Sequence, residues 1–143
     1  MKNFIFASIL LALLLTVNAA TFRRALTFVP CDLKNAVNVA IVPKIPKSGK
    51  NESFHISGIL TEHDITAQKT KLSIAYEDIN GKGLGKPYTQ PFTASTKAGN
   101  PFSLSATRVP TPKLPSSYLI KVAVEDPSNA IPLGCALARV EKI

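Results

Sequence analysis

The chain has 143 residues and a formal net charge of +8, with 17 Lys and Arg, 9 Asp and Glu, 2 Cys and no Trp. Its cations, among them Lys34, Lys44, Lys47, Lys50, Lys69, Lys71, Lys82, Lys86 and Lys97, are spread along the sequence. They form no tight run of the kind that grips nucleic acid, so nucleic acid is excluded as an expected partner.

The first residues are set apart from the rest. Lys2 supplies a basic start, Phe4 to Val17 an apolar run, and Val17-Asn18-Ala19 a small-residue cleavage pattern, so residues 1–19 are expected to be a signal peptide. A secreted or extracellular protein, or one of a vacuolar or endolysosomal lumen, is the expectation. Removal leaves one domain over residues 20–143, long enough to bury about two-thirds of its unfolded surface.

Phe22, Leu26 and Phe28 alternate toward Cys31, which fits a short first strand. Val37 to Val42 is a β-branched alternating run stopped by Pro43, and Ile45 to Asn51 has the composition of a loop. Asn51-Glu52-Ser53 is a glycosylation sequon, which marks a surface loop when Asn51 is used. Phe54, Ile56, Gly58 and Leu60 then alternate with polar neighbours, and Glu62-His63-Asp64 reads as a turn. Lys71 to Asp78 alternates again and ends at Asn80-Gly81-Lys82-Gly83. Pro87 to Ala94 is a weaker strand, broken by Pro91, and suits an edge. Phe102, Leu104 and Ala106 mark the next strand.

After a proline-punctuated loop, Tyr118, Ile120, Val122 and Val124 fall on alternate residues, and Leu133 to Val140 forms the closing strand with Cys135 in it. No stretch shows a sustained helical period. About seven strands separated by turns give an all-β, immunoglobulin-like β-sandwich in two antiparallel sheets. The inward candidates are Phe54, Ile56, Leu72, Ile74, Tyr76, Phe92, Phe102, Leu104, Leu114, Tyr118, Ile120, Val122 and Leu137. Periodicity does not distinguish a filled sandwich from one with an apolar cavity between the sheets.

No catalytic constellation is present, so an enzyme is not expected. His55 in a strand and His63 beside Glu62 and Asp64 are read as surface or core-satisfied residues. There is no nucleophile elbow and no phosphate loop, and no cofactor is called for. In a secreted chain Cys31 and Cys135 are expected to pair, two free thiols or a metal site being the alternatives; with no CxxC, metal is disfavoured.

The order of landmarks resembles a known family. Phe28-Val29-Pro30-Cys31 is similar to its opening F-x-x-C. Lys47-Ser48-Gly49-Lys50 followed by Ser53 to Leu60 resembles its basic-glycine loop and second strand, and Val109 to Val124 its proline-led loop and the strand before the final cysteine. Together these resemble the ML (MD-2-related lipid-recognition) family, which includes the Niemann-Pick type C2 sterol carriers and fungal phosphatidylglycerol/phosphatidylinositol transfer proteins. The resemblance implies a Cys31–Cys135 disulfide, although the two further disulfides usual in the family are missing. It also implies a monomeric lipid-binding or lipid-transfer protein, holding an acyl chain or sterol (a phospholipid or sterol ligand) between its sheets, with transient contact to anionic membrane surfaces. Leu114 and Pro115 would stand at the pocket mouth and Tyr118, Ile120 and Val122 along its wall. The alternative is a filled sandwich for protein or glycan recognition.

Overall fold

The computed structural model describes residues 26–141; the segment expected to be a signal peptide and Phe22 lie outside the described residues. Every regular element in it is a strand: β1 (Phe28–Pro30), β2 (Asn35–Val42), β3 (Asn51–Leu60), β4 (Lys71–Asp78), β5 (Tyr88–Pro91), β6 (Pro101–Pro110), β7 (Tyr118–Glu125) and β8 (Gly134–Val140). The strand order is β5-β4-β7-β8-β2-β3-β6, with β1 also paired to β8. All pairings are antiparallel except β2 with β8, which meet in parallel at the single residue pair Ala36 and Cys135. The expected two antiparallel sheets are therefore β1-β8-β7-β4-β5 and β2-β3-β6, joined through that one bridge into a sandwich.

Alternation drives the packing. From the first sheet Leu72, Ile74, Tyr76, Tyr118, Ile120, Val122 and Val124 point inward, and from the second Val37, Ile41, Phe54, Ile56, Phe102 and Ala106; all join one buried cluster. Each such aliphatic or aromatic side chain gains about 1.5–3 kcal/mol from leaving water, so the cluster sets the register of both sheets. A one-residue slip would turn the whole set outward.

Two departures from strict alternation matter. Between the Glu52–Val109 and Phe54–Ala106 pairs the register shifts, so that Thr107 and Arg108 together oppose Ser53. Arg108 takes a φ of 57°, and the bulge keeps both Ala106 and Val109 inward although they are three residues apart. On β8 the inward positions are Ala136 and Ala138, while Leu137, expected inside, is exposed. The first sheet turns into the second through this strand, and small side chains let the backbones approach. Gly134 shows how closely: a Cβ there would lie 2.8 Å from Cδ2 of Leu60 and 3.0 Å from Cγ2 of Val37.

The Cys31–Cys135 disulfide forms, with Cα atoms 5.3 Å apart. The Cys31 N–H also donates to the Cys135 carbonyl at 2.9 Å. Bridge, disulfide and Gly134 all lie at one end of the sandwich, here called the anchored end.

Candidate functional site

The opposite end, the rim end, is where the loops 43–50, 79–87 and 111–117 gather. The first and third hold each other, the Gly49 N–H donating to the Thr111 carbonyl (3.0 Å) and the Thr111 N–H to the Lys50 carbonyl (3.1 Å), while the second is held to its own strand by the Leu84 N–H, which donates to the Tyr76 carbonyl (2.7 Å). The Leu114 N–H donates to Oγ of Ser48 at 2.9 Å. Leu84 and Leu114 pack half-buried on the core from above.

The sheets are least connected at this end. On one side β2 leaves β8 beyond the Ala36 bridge, and an apolar cleft of about 260 Å³ lined by Leu26, Phe28, Val39, Ala40, Ile41 and Lys44 lies between β1 and β2. On the other side, below the rim, β5 pairs with the Lys71–Ile74 half of β4 and faces β6 without a backbone ladder. Nε2 of Gln90 donates to the Ser105 carbonyl at 3.2 Å, Gln90 itself being held by the Tyr88 hydroxyl at 2.7 Å. A larger concavity, about 420 Å³, is lined by Lys71, Lys121, Glu125, Asp126 and their neighbours on the outer surface of the anchored end.

Charge is also sorted by end. Lys44, Lys47, Lys50, Lys82, Lys86, Arg108 and Lys113 are all exposed and belong to the rim loops or the adjoining end of β6, against the solvated acids Glu77, Asp78 and Glu141, the last paired with Arg139 at 2.7 Å. At the anchored end Lys34, Lys69, Lys71 and Lys97 are balanced by Asp32, Glu62, Asp64, Glu125 and Asp126, with a Lys34–Glu62 ion pair at 3.9 Å. Cations dispersed in sequence are thus gathered by topology.

Directly beneath the rim lies a group of polar atoms that the sequence pattern concealed. Glu52 is 1% exposed and Thr111 5%. Both carboxyl oxygens of Glu52, the Tyr76 hydroxyl and Oγ1 of Thr111 are buried with no hydrogen-bond partner among the described residues. Burial pushes the Glu52 carboxyl up from 4.5 to about 7. The Tyr76 phenol rises from 10.0 to about 12, chiefly by burial; Thr111 beside it, near but outside bonding geometry, offsets a little, and the Glu52 and Tyr118 charges add to the rise. Tyr118 is raised by burial and then by Glu52, and its ring centroid stands 6.4 Å from that of Tyr76.

Of the residues expected to line a pocket, Phe54, Ile56, Leu72, Ile74, Tyr76, Phe92, Phe102, Tyr118, Ile120 and Val122 are brought together in the interior, Leu104 and Leu114 are half-buried against it, and Pro115 is exposed on the rim. Phe92 and Phe102 meet edge-to-face at 5.9 Å. Glu52 and Thr111 were missed. Glu52 sits inside the sequon, which drew attention to the surface, although stepping back two residues from Phe54 places it inward. Asn51 itself opens β3 and is exposed. Thr111 follows Val109 by two in the same way.

No family model and no curated protein matches the sequence. A solved structure is similar: chicken MD-1, crystallised in complex with lipid IVa, superposes with a TM-score of 0.55 at 13% identity, covering 85% of this chain and 94% of the MD-1 chain. The two proteins share a fold. The two histidines do not converge on a site: Nδ1 of His55 meets Oγ of Ser105 at 3.0 Å on an outer face, and His63 lies in the loop after β3. Among the described residues no group of three His, Cys, Asp or Glu side chains is placed to hold a metal.

Proposed function

We propose that this is a secreted lipid-binding or lipid-transfer protein of the ML type, taking an acyl chain or sterol between its sheets through the rim end and doing no covalent chemistry. The observation that carries this reading is the one-sided joining of the sheets. Their backbone link is the Ala36–Cys135 bridge at the anchored end, beside the disulfide, whereas toward the rim they face each other through apolar side chains. Such a sandwich parts at the rim without breaking a strand ladder. The fold shared with MD-1, solved with a lipid, supports the same reading.

The energetics suit a carrier. An acyl chain of sixteen carbons gains about 12 kcal/mol on leaving water, at about 0.8 kcal/mol per methylene, and a bilayer offers nearly the same. Transfer then needs only a close match between protein and membrane. The basic rim supplies brief docking, each well-placed cation contributing about 1 kcal/mol on an anionic leaflet. Asn51, exposed at the start of β3, is open to a glycan.

The packed interior favours one other reading, a filled sandwich that recognises protein or glycan on its surface. Native protein purified from its source decides between them. Bound lipid detected by mass spectrometry, and displacement of an apolar fluorescent dye by phospholipids or sterols, support the carrier. A lipid-free protein that takes up neither dye nor any lipid of such a panel overturns it.

A further inference from the structure

We propose that Glu52, Tyr76 and Thr111 form a subsite for the hydroxyl end of an uncharged aliphatic ligand, a long-chain alcohol or a lipid that presents one. This inference rests on the lipid-binding reading and names the polar chemistry that its pocket selects.

Three elements contribute: Glu52 from β3, Tyr76 from β4 and Thr111 from the loop after β6. All three side chains are more than nine-tenths buried, and all present polar atoms without a partner among the described residues. Buried polar groups are almost always hydrogen-bonded, so a converging set of orphans points to a missing partner. They lie under the loops where the sheets are not laddered, at the end a ligand can reach.

The inventory of donors and acceptors narrows the partner. Tyr76 and Thr111 each offer one O–H and accept in return, and the Glu52 carboxyl accepts and, when protonated, also donates. An aliphatic hydroxyl donates once and accepts twice, so it serves all three. A carboxylate or phosphate end would carry its charge into a buried site that holds no cation, and the exposed lysines above are the better place for it. An ammonium end has no acceptor to receive the Tyr76 and Thr111 hydroxyls. Burial holds the Glu52 carboxyl up at about 7, so in mildly acid solution the cluster is neutral and favours a neutral ligand. The groups facing Glu52 are the phenols of Tyr76 and Tyr118, on β4 and β7.

The test compares dodecan-1-ol with its methyl ether, 1-methoxydodecane, and with dodecanoate, each displacing an apolar fluorescent dye from the full mature chain at about pH 6, where the carboxyl is mostly protonated. The ether keeps the chain and an acceptor but cannot donate. The expected result is an alcohol bound about tenfold more tightly than the ether, the size of one lost buried hydrogen bond. That preference falls below about twofold in Tyr76→Phe and in Thr111→Val, the latter being isosteric and checked for folding by circular dichroism. Equal affinities for alcohol and ether in the wild type mean that water alone serves these groups; they overturn the subsite and leave the lipid reading standing. Dodecanoate binding more tightly than the alcohol, or a preference that survives both substitutions, also overturns it. Failure of all three compounds to displace the dye sinks the lipid reading and this inference with it.

Discussion

The two ends of the sandwich treat buried polarity in opposite ways. At the anchored end Asn35 and Thr70 are buried and satisfied: Oδ1 of Asn35 accepts from the Glu62 N–H at 3.3 Å, its amide donates to Asp32 at 3.3 Å, and Oγ1 of Thr70 accepts from the Thr66 N–H at 2.8 Å. At the rim end Glu52 and Thr111 are buried and unmet. Buried Asn35 and Thr70 serve structure at one end, where each has an internal partner. At the other, Glu52 and Thr111 leave bonding capacity for something else.

The largest expected effect comes from loosening the anchored end. Cys31 and Cys135 close a loop with a sequence separation of 104, and in the chain-entropy model a crosslink of that span contributes about 4–5 kcal/mol. Replacing both cysteines with serine should lower the urea midpoint and steepen the slope, because the uncrosslinked unfolded chain exposes more surface. Hydrogen exchange should show the β2 and β8 amides near Ala36 losing protection first.

The next effect belongs to the rim and depends on pH. The folded carboxyl of Glu52 titrates at about 7 against 4.5 for the free group, so the native state binds the extra proton. Its contribution is fully present below about pH 4.5 and is lost as pH rises to about 7, after which stability is flat. Glu52→Gln removes that slope, and at about pH 8.5 it should stabilise the protein by up to about 3 kcal/mol, the shift converted at 1.36 kcal/mol per unit. Denaturation curves at acid and alkaline pH check this. A variant that follows the wild-type pH profile would show that Glu52 is not the group responsible.

A matched pair of substitutions sharpens the contrast directly. Thr70→Val keeps the shape but strands the Thr66 N–H, and should destabilise by about 1–2 kcal/mol. Thr111→Val is the same change at the rim. Its hydroxyl has no internal partner to strand, so the variant should be neutral or slightly more stable. Thermal denaturation of the two proteins side by side reads the difference; equal losses would remove the distinction between the ends.

The strand framework was legible because period-two patterns are local. Tyr118 to Val124 alternates cleanly and forms β7, and Pro91 ends the edge strand β5 where a missing N–H predicts it should. Leu137 was misassigned for a reason that is not local. The strand on which one sheet passes into the other needs small inward residues, and nothing near Leu137 announces that Ala136 and Ala138 take that role. The cations show the same limit, since Lys44, Lys82 and Lys113 are far apart in sequence and meet only when three loops converge. Glu52 was legible by parity but hidden by the competing meaning of Asn51-Glu52-Ser53.

The smallest effect concerns how the rim is kept in phase. Arg108 holds a positive φ of 57°, a conformation that costs a non-glycine residue about 1 kcal/mol. Its place in the bulge keeps Val109 inward beside Glu52 and carries Thr111 into the cluster. Arg108→Gly relieves that strain, and the relief outweighs the unfolded-state entropy it adds, so its net effect is a modest gain. Arg108→Ala removes the same charge and keeps the strain. Glycine should therefore exceed alanine in stability by about 0.5–1 kcal/mol, measured by chemical denaturation at fixed pH. An alanine variant as stable as the glycine one would mean that the bulge relaxes at no cost. The inward phase of Val109 and Thr111, and with it the polar cluster under the rim, would then not depend on a fixed backbone at Arg108.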